Sequence, residues 1–277
     1  MATTLSNPMR DERAYNVDEA ALSLAAEKTI DVGHGVGNTL RVTQILEAND
    51  ITCCCVGVSA LKFYGASRMR DDWEICVPTD LVPKAIRVLQ SPPHSDVYVL
   101  VDSISHAQVQ SMTHTYNRFQ TRGLWHTFVI VPASDVHLDC RPVNIVRSLQ
   151  GLPYPSLQVF AQSCLNRRNE LELCDLIDGT NISEDWGEKN LNLEGTNDVD
   201  WAWAMKRRTK EWNVEKEGKP RPIDFWPTRP KSKRLIWQSQ VRTKASRLDW
   251  SRPPEAFITQ YRVHGSPDPW TVLSDVS

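Results

Sequence analysis

Between Ile51 and Pro78 a strand, a short helix and a second strand that opens on acid follow one another, and no other part of the chain restricts its fold so much. The first apolar run is Ile51-Thr-Cys-Cys-Cys-Val-Gly57. A helical stretch from Ser59 to about Tyr64 then ends in a turn at Gly65, followed by Arg68-Met-Arg70-Asp71-Asp72-Trp-Glu74-Ile-Cys-Val-Pro78. Residues two apart in a strand share a face. Asp72 and Glu74 are therefore expected to point one way, with Trp73 and Ile75 directed into a core. Two carboxylates on one face suit a cation, either a hard metal ion taking oxygen ligands or a guanidinium paired bidentately. The simpler alternative is a solvent-facing strand end. Gly57, between strand and helix, leaves backbone amides open to an anionic group.

This pattern resembles the nucleotidyltransferase-fold proteins, whose signature runs Gly-x-Ser or Gly-Gly, a helix ending in glycine, Arg, then Asp-x-Asp or Asp-x-Glu. Gly57, Ser59, Gly65 and Arg68 fall in those places, and Arg70 stands where one version of the signature carries threonine. The likeness covers residues 51 to 78. It implies a third carboxylate from a later strand, for which Asp139 in Val136-His-Leu-Asp139-Cys-Arg-Pro142 is the candidate; a turn-forming Asp before Pro142 is the alternative. On that reading Asp72, Glu74 and Asp139 hold Mg2+ and the chain transfers nucleotides to RNA or a small acceptor. Glu74 in place of the commoner Asp, and the positive charges of Arg68 and Arg70 beside the acidic pair, depart from the pattern.

Charge is distributed unevenly. The formal net charge is −2, but Lys206 to Arg247 carries 14 of the 32 basic residues against four of the 34 acidic ones, a local +10 that leaves −12 for the rest. A basic block on an acidic chain points to a polyanionic partner, with nucleic acid the leading candidate. Trp201, Trp203, Trp212, Trp226, Trp237 and Trp250 lie in or beside it, and aromatic planes among Arg and Lys can stack unpaired bases. Trp201, Trp203 and Trp212 fall on an expected helix from about 197 to 217 and are assigned to packing. Around Trp226 and Trp237, packing and base stacking remain equally open.

Taken whole, the chain's size, its Asp71-Asp72-Trp-Glu74 site and its basic, Trp-rich tail resemble the fungal arginine-containing cyclodipeptide synthases. That resemblance implies a tRNA-dependent aminoacyltransferase of secondary-metabolite biosynthesis. Arginyl-tRNA and a second aminoacyl-tRNA would donate their residues, and a diketopiperazine would leave; the esters are already activated, so no cofactor is expected. Asp71, Asp72, Glu74 and Asp139 are the candidate catalytic residues, and Gly57, Ser59, Arg68 and Arg70 the candidate substrate-binding ones. Arg207, Arg208, Arg229, Lys231, Lys233 and Arg234 are the candidates for tRNA phosphates. Ser59 and Ser67 are hydroxyls that could carry an aminoacyl group, with no His-Ser spacing to support it. A non-catalytic RNA-binding protein is the third class left open.

The expected fold is α/β: a nucleotidyltransferase-like mixed sheet core with a C-terminal helical, basic extension. Residues 1–35 are expected to form a helical arm, 36–150 the core and 151–277 the C-terminal module, with the Pro-rich Gly151–Pro155 as the boundary. Helices are expected near 16–28, 38–48, 79–90, 143–150 and 156–178. Strands are expected near 51–57, 72–77, 96–101, 126–131 and 135–139, with 181–200 an exposed connection and no strong period after Ser251. The seven cysteines include no Cys-x-x-Cys and read as small buried core residues, with covalent chemistry at Cys76 or Cys140 the alternative. No apolar run reaches the roughly 18 residues of a membrane span, and the N-terminus lacks a signal segment, so a cytoplasmic protein is expected. No zinc spacing, P-loop or Gly-x-Ser-x-Gly elbow occurs.

Overall fold

The structure is a computed structural model that describes residues 35–66, 68–103, 110–217 and 226–247. The expected arm helix at 16–28, Ser67 and the stretch after Ser251 lie outside the described residues.

The chain enters through α1 (Val36–Ala48), which buries Val42 and Leu46, and passes through β1 (Cys54–Val56) directly into α2 (Gly57–Phe63). Then follow β2 (Trp73–Val77), α3 (Val82–Gln90), β3 (Tyr98–Val101), β4 (Arg118–Thr121) and β5 (Thr127–Pro132). These strands form one sheet in the order β1-β2-β5-β4-β3, in which β2 and β5 are parallel and the other neighbours antiparallel. The α/β class and the mixed sheet are as the sequence implies.

Alternation along β2 and β5 divides the interior. Ile75 and Val77, with Phe128 and Ile130, belong to the larger apolar cluster, which runs from Val42 in α1 to Val241 near the end of the described chain. Cys76, Val129 and Val131 face the other way into a smaller cluster with Met112, Tyr116, Val136, Leu138 and Met205. Asp72 and Glu74 share this second face, as their spacing requires.

Several local expectations give way. The segment expected as a strand at 135–139 is a 3-10 turn, Ala133–Val136, closed by His137 in the left-handed region at φ 48°. The helix expected at 143–150 is instead a hairpin of β6 (Ile145–Arg147) and β7 (Pro153–Pro155), where Pro153 and Pro155 are tolerated at a sheet edge. The long helix expected at 156–178 breaks at Arg168 (φ 51°) into α4 (Leu157–Arg167) and α5 (Glu170–Thr180). Asn169 starts the second by accepting from the Glu172 amide. The stretch 181–200, expected to be an exposed connection, buries Ile182, Leu191 and Leu193 around α6 (Glu184–Asn190). After it come α7 (Val199–Glu217), α8 (Lys233–Arg242) and the single turn α9 (Lys244–Arg247). No helix among the described residues is long and apolar enough to cross a membrane.

Candidate functional site

A cavity of about 250 Å3 opens where β1 turns into α2, bounded by the start of β2, the turn after β5 and α5. Six carboxylates line it, Asp71, Asp72, Glu74, Asp135, Glu172 and Asp175, against two arginines, Arg68 and Arg167. Each acid is held differently.

Asp72, at the mouth of β2, is buried. Both its oxygens lie 3.0 Å from Arg118 Nε, and Thr127 donates its hydroxyl to Oδ1. This carboxylate therefore ties β2 to β4 and β5. Arg167, buried in α4, donates to Glu172 at 2.7 Å. Arg68 clasps Asp175 through Nε at 2.6 Å and Nη2 at 3.0 Å. Burial nevertheless outweighs that pairing and pushes Asp175 up to about 6. Asp135 accepts from the Tyr116 hydroxyl at 2.9 Å and pairs with Arg208 of α7 at 2.6 Å.

Glu74 is the exception, with no hydrogen bond or ion pair to any described residue. The residue lines the cavity and is half-buried. Burial, followed by the negative charge of Glu172, pushes it up to about 8, against the opposing pull of Arg167. The space it occupies exists because residue 57 is glycine. Gly57 sits at φ 57°, and a Cβ there would come within 2.6 Å of Glu74 Cδ.

The other residues singled out from sequence are dispersed. Asp71 lines the cavity. Ser59 is buried in α2 with its hydroxyl turned to Arg70 Nη1 at 3.4 Å. Arg70 lies flat on Trp73, 3.4 Å from the ring centroid, and Trp73 belongs to the cluster on the opposite face of the sheet from Glu74. The arginine that engages Asp72 is Arg118, and Arg167 acts on Glu74. Asp139 is outside the cavity, half-exposed and held by Arg141 at 2.5 Å, because the segment carrying it is not a strand. The set Asp72, Glu74 and Asp139 does not come together as ligands for Mg2+.

Several residues of the basic block are paired within the chain. Lys231 meets Glu170 at 3.1 Å, Arg234 bonds Glu188 and Glu194, Arg242 pairs with Glu184 at 2.6 Å, and buried Arg247 clasps Asp178 at 2.8 Å. Lys233 donates to Asn166 at 3.4 Å. Arg207, Lys210 and Arg229 are exposed, with no side-chain partner among the described residues. Trp237 belongs to the core: it is fully buried, and its indole N–H donates to the Glu184 carbonyl at 3.2 Å. Trp226 meets Trp201 edge-on at 5.6 Å between ring centroids and lines both the acidic cavity and a shallower depression beside it, where Arg168 and Arg229 lie.

Of the residues not anticipated, Glu172 and Asp175 are three apart on α5, a spacing that places them on one helix face. Arg118 and Arg167 carried no such signal.

No family model matches the chain, and no curated protein does. Among solved structures, JHP933 from Helicobacter pylori is 13% identical over 85% of this chain and 96% of its own, with a TM-score of 0.32. A candidate nucleotidyltransferase from H. pylori is 12% identical over 86% of this chain and 100% of its own, also with a TM-score of 0.32. Likeness at that level carries no argument about activity.

Proposed function

We propose that the cavity is the active site of an aminoacyltransferase that joins arginine from arginyl-tRNA to a second aminoacyl group and releases a cyclic dipeptide. One observation carries this reading: Glu74 faces a cavity rich in acid with no hydrogen-bond or ion-pair partner among the described residues, and burial pushes it up to about 8. Aminoacyl esters need no ATP, but the attacking amine must lose a proton, and a base serves best when its pKa lies near the working pH. In the proposed reaction Glu74 takes the proton of the arginyl ammonium. The freed amine attacks the ester carbonyl of the second aminoacyl group, a C–N bond forms, and the C–O bond to the ribose breaks. The departing ribose oxygen takes that proton from Glu74, and the attacking nitrogen gives up its second proton to the ionised Glu74 and on to solvent, so each bond formed releases one ribose hydroxyl and one proton. The second amine then attacks the arginyl ester in the same way and closes the ring.

The excess of carboxylates over arginines in the cavity suits a cationic side chain. An acyl-enzyme on Ser59 is disfavoured, since its hydroxyl is buried against Arg70 rather than lining the cavity. Transfer is then direct between two esters. Exposed Arg207, Lys210 and Arg229 are the proposed phosphate contacts.

Metal-dependent nucleotidyl transfer is the competing chemistry. It asks for carboxylates open to Mg2+, whereas Asp72 is engaged by Arg118 and Thr127 and Asp139 stands elsewhere. A non-catalytic RNA-binding role leaves the state of Glu74 without a use. The deciding experiment incubates the protein with charged total tRNA, with and without nucleoside triphosphates and a chelator, and analyses small molecules by mass. An arginine-containing cyclic dipeptide made without triphosphate, and lost in Glu74→Gln, is the expected result. A nucleotide-modified product that disappears with chelator would overturn it, as would the absence of any product.

A further inference from the structure

Three of the seven cysteines converge in the smaller apolar cluster. The register of β1 and β2 sets Cys54 directly opposite Cys76. Cys140, on the loop after the Ala133–Val136 turn, brings its Sγ to 3.4 Å from that of Cys76. All three sulfurs lie within 4.8 Å of one another, and all three residues are buried. Alternation sends Cys53 and Cys55 to the opposite face, into the larger cluster, so the three-cysteine run in the sequence contributes one thiol to this site.

We propose that Cys54, Cys76 and Cys140 form a three-sulfur site for a soft monovalent cation, copper(I). Three sulfurs bonded at about 2.3 Å around a trigonal ion stand about 4.0 Å from one another, so the existing arrangement needs only small side-chain rotations. No fourth His, Cys, Asp or Glu atom joins the group among the described residues. Zinc characteristically completes a tetrahedron, while thiolates without hard ligands select copper(I). The three cysteines belong to a cluster of apolar side chains whose one hydroxyl among the buried members, that of Tyr116, is given to Asp135.

A cation bound by the three sulfurs displaces thiol protons, which leave to solvent. Binding therefore strengthens as pH rises. The ion would join β1, β2 and the loop carrying Cys140, and would stabilise the folded chain by mass action.

The test uses the full-length protein, reduced and free of oxygen, competing for copper(I) with the coloured chelator bathocuproine disulfonate. One equivalent should be withdrawn, with X-ray absorption showing three sulfurs at about 2.3 Å. Cys76→Ser and Cys140→Ser should each weaken binding at least tenfold, while Cys53→Ser and Cys174→Ser leave it unchanged. No withdrawal by the wild type, equal withdrawal by Cys140→Ser, or nitrogen and oxygen neighbours around the metal would overturn the proposal. Because the absorption measurement is made on the wild type, it decides the matter even if a serine variant fails to fold. Tighter binding of zinc(II) than of copper(I) in the same competition would overturn the choice of ion.

Discussion

Gly57 and Glu74 occupy the same corner of the cavity: the glycine Cα faces the carboxylate so closely that a side chain on one displaces the other. Val56, which precedes the glycine, is paired with Glu74 across β1 and β2, so sheet register fixes this juxtaposition. Gly57→Ala is therefore expected to act twice. Left-handed backbone strain costs about 1–2 kcal/mol of stability, and the methyl group drives the Glu74 carboxyl from its position. Urea unfolding should show the modest loss, while dipeptide formation falls at least tenfold. Unchanged activity in the alanine variant would show that the position of Glu74 is immaterial.

Glu74 also sets a pH dependence. Its folded value of about 8 lies above the ordinary 4.5, so between those limits the folded chain binds more protons than the unfolded one. Stability contributed by the neutral carboxyl is complete below about 4.5 and is lost as pH rises towards 8. Glu74→Gln removes that slope, and at pH 8 the variant should be the more stable protein. Asp175, pushed up to about 6, contributes a slope at lower pH, but it is present in both proteins and cancels in the difference. The rate should behave oppositely to stability, rising with pH through 8 as the base ionises. Parallel stability profiles for the two proteins would contradict the assignment.

Asp72 is held as a strand clamp. Its partners Arg118 and Thr127 come from β4 and β5, and the aspartate is almost wholly enclosed. Arg118→Met leaves that charge buried and unpaired, at a cost of about 3 kcal/mol. Asp72→Asn should cost less, about 1–2 kcal/mol, because the amide retains hydrogen-bonding capacity. The double variant should be more stable than the sum of the single losses, as a double-mutant cycle would show. If Asp72 were instead a metal ligand, Asp72→Asn would abolish activity with little effect on unfolding.

Close packing at Gly187 gives a test remote from the cavity. A Cβ there would overlap the indole of Trp237, which has no exposed surface to move into. Gly187→Ala should therefore destabilise the chain by about 2–3 kcal/mol in chemical denaturation, although an alanine in an exposed helix would ordinarily help. A more stable variant would mean that Trp237 can leave its site.

The acidic strand was legible because alternation is local: the two-residue spacing of Asp72, Glu74 and Cys76 assigns all three to one face without knowledge of any other strand. Gly57 could likewise be read as special from its place between strand and helix. What each carboxylate pairs with was not legible. Arg118 is 46 residues from Asp72 and sits on a strand that carried no clear sequence signal. Asp139 had a plausible context in the sequence, but the left-handed turn at His137 takes it out of the cavity. The tail shows the same limit. Its local +10 looked available to an external polyanion, yet Arg242 and Arg247 meet Glu184 and Asp178, 58 and 69 residues earlier in the chain. Composition counts charges without recording which are already paired.

That distinction separates the basic residues into two experimental groups. Arg207, Lys210 and Arg229 are exposed without side-chain partners among the described residues, whereas Arg234 and Arg242 are shared with Glu188, Glu194 and Glu184. A phosphate contact releases counterions and carries a salt slope close to one per contact. Charge reversal at Arg207, Lys210 or Arg229 should therefore weaken binding of charged tRNA several-fold each and lower the dependence of log Kd on log salt by about one. Arg234→Ala and Arg242→Ala should leave tRNA affinity within about twofold and alter stability by no more than about 1 kcal/mol, since both pairs lie at the surface. Filter binding at several salt concentrations distinguishes the groups. Equal losses from the paired and unpaired arginines would mean that the internal ion pairs open when tRNA arrives.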